Sequence, residues 1–438
     1  MPPTTTLDVP VTTYPLERFT LPNGLRVVLA PDRSAPVIAV AVLYDVGIRS
    51  EPPGRTGFAH LFEHLMFQGS ANLEKLAHFR IVQGSGGTFN GSTHLDYTDY
   101  FETLPSGALE RALFLEADRM RGPVLTEANL RNQVDVVKEE IRANVLNRPY
   151  GGFPWLKLPP VMFDTFPNAH DGYGSFADLE AATLEEAVEF FETYYAAGNA
   201  VLSVAGDFDP DHARTLVERH FGDVPARPAP PRPNFDEPDL TAARHDSYVD
   251  RHAPVPAVAA AWRVPDPIGQ RAAYLPYPVL AEVLTDGDAS RLVQRLEHRD
   301  QLVTSVGGYI GFMGEPFGVR HPTALVVQAH LRPGGSVSPV LDAIDEELER
   351  LATDGLPEAE LKRTLARMAA RFLRSTDEMM GRSLIVGVLE LLHGDPDLVN
   401  RLPHLLGEVT VEQVAAAAAT LRPHRRASVE VIPGGGGS

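Results

Sequence analysis

Residues 225–238, PARPAPPRPNFDEP, place six prolines in fourteen positions. Proline lacks the N–H that a helix interior or a central strand requires, and its ring clashes with the preceding turn. No continuous core runs through such a stretch, so it divides the 438-residue chain into two parts of about 200 residues each, a size at which a domain folds on its own. The expected organisation is an N-terminal domain over 1–224, a semi-extended linker over 225–240, a C-terminal domain over 241–433 and a flexible Gly/Ser tail over 434–438.

The two sides of the linker echo each other. On the first, strand-like VIAVAVLYDVG (37–47) precedes a loop and the helix-like GFAHLFEHLMFQG (57–69). On the second, VPAVAAAWRVP (255–265) precedes a loop and LPYPVLAEVLTDG (275–287). Laying Gly287 on Gly69 sets Pro278, Ala281 and Glu282 where His60, Glu63 and His64 stand. This pattern is expected of a duplicated domain whose first copy alone keeps the polar triplet. Strand signals (LRVVLAP, AVLSVAGDF, TALVVQAHL) cluster before long helical patterns and do not alternate with them one for one. The expected class is therefore α+β, two homologous α/β-layer domains, rather than a doubly wound parallel sheet.

With 58 Asp+Glu against 39 Lys+Arg the formal charge is -19, which disfavours nucleic acid and anionic membrane surfaces as partners. The chain has no cysteine, so thiolate metal sites and cysteine nucleophiles are excluded. No run of 18 apolar residues occurs, and the N-terminal MPPTTTLDVPVTTYPLERF lacks the pattern of a signal peptide; the expected location is cytoplasmic.

The chemistry concentrates in HLFEH, residues 60–64. A helix turns about 100° per residue, so positions i, i+3 and i+4 share a face. His60, Glu63 and His64 form that face, while Phe58, Leu61, Phe62, Leu65 and Met66 form a greasy back. Two imidazoles so spaced can converge on one ion, and the carboxylate beside them can act as a base toward water. A solvated polar face is the plainer alternative. Against it, no Lys or Arg lies between Arg55 and Lys75. A catalytic zinc also needs a third protein ligand. In NLRNQVDVVKEEIRANV (129–145), Leu130, Val134, Val137, Ile141 and Val145 mark a buried stripe, with Glu139 pointing outward and Glu140 on the shoulder. Glu140 is the candidate, although an exposed glutamate is the commoner occupant of such a place.

From these residues the chain is identified as resembling the insulinase-like (M16) metallopeptidases, the inverzincins, in particular the short-chain branch that includes mitochondrial processing peptidase and bacterial heterodimeric peptidases. The family pattern is H-x-x-E-H followed some 75 residues later by a ligating Glu; here 75 residues separate His64 from Glu140, within VVKEEI. LERFTLPNGLRVVLAPD and GDFDP (206–210) match further landmarks. The resemblance implies zinc on His60, His64 and Glu140, Glu63 as general base, and two homologous domains forming half of a clamshell that closes round a peptide. It also implies that GGTFNGSTHLDYTDYF (86–101) holds an edge strand receiving the substrate, with Asn90 as a substrate-binding residue.

Two departures stand out. A Glu often found seven residues before the ligand is Gln133 here, an uncharged support for the metal site. The Arg and Tyr that active members carry in the opposite domain are replaced, in QRLEHRDQLVTSV (294–306), by Glu297 and Thr304. The resemblance thus implies the zinc-bearing subunit of a heterodimer, a zinc metalloendopeptidase whose homologous partner supplies the Arg–Tyr pair. A non-catalytic scaffold of the same fold is the alternative.

Overall fold

The computed structural model describes residues 13–435; the first part of the N-terminal stretch and the end of the Gly/Ser tail lie outside the described residues. Strands β1 (Glu17–Thr20), β2 (Arg26–Pro31), β3 (Val37–Tyr44), β4 (Thr88–Thr93), β5 (Thr98–Pro105) and β6 (Ala200–Gly206) form one sheet in the order β1-β2-β6-β3-β5-β4. Strands β7 (Arg244–Asp250), β8 (Ala257–Val264), β9 (Val303–Ile310), β10 (Thr323–Leu331) and β11 (Ala427–Pro433) form the other, in the order β7-β11-β8-β10-β9. Removing β1 makes the two orders superimpose strand for strand. In each, one parallel pair (β2 with β6, β7 with β11) is followed by antiparallel neighbours. The fold is α+β with a repeated architecture.

Each sheet has helices of its own half on one face and segments of the other half on the opposite face. Ile38, Val40, Val42 and Tyr44 of β3 face the first core, while Ala41 and Leu43 meet Val388, Leu391 and Leu392 from beyond the linker. In β8, Val258, Ala260 and Trp262 face the second core, and Ala257, Ala259 and Ala261 meet Leu158, Met162 and Phe163 from before it. This double burial is why neither strand alternates apolar with polar residues. The helix Met379–Val388 approaches so closely that a Cβ on Gly387 would come within 2.4 Å of Leu43 Cδ1.

Polar contacts also join the halves. Buried Arg49 pairs with Asp96 at 3.4 Å and donates to the carbonyls of Arg320 and Pro322. Arg320 grips Asp45 through both terminal nitrogens, at 2.8 and 3.0 Å. The proline-rich stretch has no regular structure but is anchored: Arg232 pairs with Asp45, and Glu237 accepts from Asp164 N and Thr165 N at 3.0 and 2.9 Å.

Candidate metal centre

HLFEH lies on the helix Phe58–Leu65, here the motif helix. It starts at Gly57, whose φ of 86° is the left-handed conformation open to glycine. Glycine has no capping side chain, and the buried carboxylate of Glu51 does that work by accepting from Gly57 N (2.9 Å) and Ala59 N (2.7 Å). His170 Nε2 pairs with Glu51 at 3.0 Å and is raised: burial opposes its charge, but Glu51 together with the Phe166 and Ile48 backbone outweighs it. Phe58, Leu61, Phe62 and Leu65 are buried in the first core, which turns the triplet outward.

The second helix, Glu127–Ile141, begins at Thr126, whose hydroxyl accepts from Asn129 N at 3.1 Å. Leu130, Val134, Val137 and Ile141 anchor it, and Glu140 projects toward the motif helix. His60 Nε2 lies 3.7 Å from Glu140 Oε1 and His64 Nε2 lies 3.3 Å from Glu140 Oε2; one donor from each of the three falls within 4.8 Å of the others. Two ligands at tetrahedral angles with bonds of about 2.1 Å to zinc stand about 3.4 Å apart. The spacing fits that ion, and two imidazoles with one carboxylate are three of the four ligands that a catalytic zinc takes; His60 also lines a cavity. Burial and the neighbouring His64 bring His60 down to about 4, against the pull of Glu140, so His60 is a neutral donor at physiological pH. The His64 contact, more than the opposing burial, holds Glu140 below its ordinary value.

Glu63 faces the same cavity, of about 640 Å³, which His60, Thr93, Trp155 and Tyr173 also line and to which Tyr309, Phe312 and Met313 of the second half contribute. Burial pushes Glu63 up, while the Thr93 hydroxyl, donating to Oε2 at 2.6 Å, works against the rise. A carboxyl raised by burial and held by a hydroxyl donor is placed to accept a proton and return it.

The remaining expected residues fall elsewhere. Asn90 is exposed on β4, the edge strand. Thr93 and the Cα–H of Gly91 face Glu63, so strand alternation sends the Asn90 side chain to the other face. Gln133 is buried and donates to Asn132 Oδ1 at 2.9 Å; among the described residues no hydrogen bond joins it to the three donors. Glu297 accepts from Val306 N (2.9 Å) and the Thr304 hydroxyl donates to the His330 carbonyl (3.1 Å); neither lines the cavity around Glu63. In the second half, Pro278 and Ala281 are buried in the helix Pro276–Thr285, and Glu282 pairs with Arg371 at 2.5 Å. Where the first half sets His64 against a carboxylate, the second therefore sets a carboxylate against a guanidinium.

Sequence reasoning missed Thr93 and Tyr173, whose hydroxyl donates to Glu140 Oε1 at 3.2 Å. Only strand alternation from Gly91 could have pointed to Thr93; nothing local marks Tyr173. The thirteen histidines outside the motif, read as surface or packing residues, include two in buried ion pairs, His94 and His170. A second group of donors, His78, Glu102 and Glu116, also lies within 4.8 Å. The Arg119 guanidinium stands among them, 3.4 Å from His78 Nε2 and hydrogen-bonded to Glu116, so the positive charge there is already supplied by the protein.

Comparison with known proteins identifies the family. The model described as Insulinase (Peptidase family M16) matches residues 26–149 and that described as Peptidase M16 inactive domain matches 181–368, together more than half of the chain. The chain is 31% identical over 291 residues to the zinc protease PqqE of Helicobacter pylori, which covers 66% of this chain and 65% of that protein. It is 28% identical over 423 residues to an uncharacterized zinc protease of Mycobacterium leprae, covering 95% and 91% respectively. The crystal structure of a protease from Helicobacter pylori superimposes with a TM-score of 0.89 at 25% identity, over 96% of this chain and 100% of that one. The fold and the donor set define the class, and the chain belongs to the insulinase-like M16 peptidase family. No helix among the described residues is long and apolar enough to cross a membrane.

Proposed function

We infer that this chain is the zinc-bearing subunit of an M16 endopeptidase that hydrolyses peptides held between its two halves and a partner chain. The observation that carries the reading is the convergence of His60, His64 and Glu140 on the helix face that carries Glu63, with His60 and Glu63 lining a cavity that residues of the second half also line.

His60 and His64 would hold the ion through Nε2, and Glu140 through its carboxylate. When bound, zinc supplies Lewis-acid polarisation of a carbonyl and acidifies water toward neutral pH. Glu63, held by Thr93, accepts the proton from the attacking water and delivers it to the leaving amine. The edge strand β4 offers unpaired backbone groups along which an extended peptide can add as a further strand. In that mode Asn90 contacts the substrate from the outer face, and Gln133 supports the second helix behind Glu140.

This chain lacks a guanidinium and a phenol at Glu297 and Thr304, so a homologous partner carrying both is proposed to complete the oxyanion site. The division at 225–240 then separates a metal-bearing N-terminal domain from a C-terminal domain that roofs the site. The test is cleavage of a mixed fluorogenic peptide library by the purified chain loaded with zinc, alone and with such a partner. Activity only in the mixture supports the reading. Wild-type-level activity of the chain alone rejects the split site, and no activity with any homologous partner favours the scaffold alternative.

A further inference from the structure

A metal-ligating histidine ordinarily donates its second ring N–H to a carboxylate, a carbonyl or a water, and that contact fixes the ring. His60 departs from this: its Nδ1 is buried and has no hydrogen-bond partner among the described residues. Its orientation comes from packing. The ring of Tyr173 meets it edge to face, with centroids 5.0 Å apart and planes at 77°, and Trp155 packs against Tyr173 at 5.3 Å. The same Tyr173 donates its hydroxyl to Glu140 Oε1 at 3.2 Å.

Tyr173 is itself held by backbone. Asp171 Oδ1 accepts from Tyr173 N at 2.8 Å, and the Asp171 carbonyl accepts from Gly174 N at 3.1 Å. The turn presses on the start of the motif helix so tightly that a Cβ on Gly57 would lie 2.5 Å from the Tyr173 carbonyl oxygen. One side chain from a loop thus touches donors on two different helices and is fixed to the origin of one of them.

We propose that Tyr173 is a positioning residue for the metal centre: its hydroxyl engages Oε1 of Glu140 and favours binding through Oε2, while its ring sets the imidazole of His60. The proposal rests on the zinc reading above. A carboxylate with both oxygens free can swing between one-oxygen and two-oxygen binding; a donor that takes one lone pair of one oxygen biases the group toward binding through the other.

The test is Tyr173→Phe, which keeps the ring and removes the hydroxyl, with His60→Ala as reference. Zinc affinity is measured by competition with a chromophoric chelator, coordination by the visible absorption of the cobalt-substituted protein, and fold stability by melting of the metal-free chain. Tyr173→Phe is expected to lose about 10–100-fold in zinc affinity and to change the cobalt spectrum, with the metal-free melting unchanged. Affinity within twofold of wild type together with an unchanged spectrum overturns the proposal. A loss of affinity accompanied by an equal loss of metal-free stability marks a packing role and also overturns it. If wild type binds no zinc, or His60→Ala binds as tightly as wild type, the zinc reading itself fails.

Discussion

Thr93→Val isolates the contact that holds the proposed base. The Thr93 hydroxyl donates to Glu63 Oε2 at 2.6 Å, within the range of a hydrogen bond to an ionised acceptor. Such bonds contribute about 1.5–3 kcal/mol. The bond stabilises the carboxylate over the carboxylic acid, whereas burial, the larger influence on Glu63, favours the acid. Deleting the hydroxyl therefore raises Glu63 further. At about 1.36 kcal/mol per factor of ten, the ionised fraction falls roughly ten- to a hundredfold wherever the acid form predominates, and kcat/KM falls with it. The loss shrinks toward alkaline pH, where Glu63 is ionised in both proteins. The assay is kcat/KM for a fluorogenic peptide as a function of pH, with zinc content measured in parallel, for wild type, Thr93→Val and Thr93→Ser. Thr93→Ser keeps the donor and should follow the wild type. A Thr93→Val profile that superimposes on the wild type, or is lowered equally at every pH, refutes the argument.

Other outcomes follow from the same geometry. Glu63→Gln should bind zinc as wild type does and lose turnover by about 10²–10⁴-fold, while His60→Ala should lose the metal, both checked by metal analysis beside peptide cleavage. His94 is buried, which lowers it, but Asp99 and Glu315 from opposite halves outweigh burial and raise it from 6.5 to about 10. Its contribution to stability is thus fully present below pH 6.5 and lost as pH rises toward 10, so the melting difference between wild type and His94→Gln should shrink across that window. Arg49→Met removes one partner of a buried ion pair that also binds two carbonyls across the halves and should cost about 3–5 kcal/mol in denaturant unfolding.

Local periodicity carried a good part of this protein. The 100° step of a helix put His60, Glu63 and His64 on one face whatever the rest of the chain does, and the same wheel set Glu140, not Glu139, at the margin of the buried stripe; Glu139 is indeed exposed and pairs with Arg142. The proline-rich stretch and the faint echo pointed to two halves, and the two sheets share one strand order. Periodicity has no reach beyond its own element. The distance between Glu140 and the histidines depends on how two helices pack on one sheet. Thr93 arrives from an edge strand, where only alternation from Gly91 hints at its direction, and Tyr173 from a loop in which nothing local marks its role. The side-chain direction of Asn90 follows from the register of β4 with β5, and the roof of the cavity follows from the contact between halves. Those choices are made by packing between separate elements, from the neighbouring strands β4 and β5 to segments in opposite halves of the chain, where the free energy lies in burial and in contacts that no single element contains.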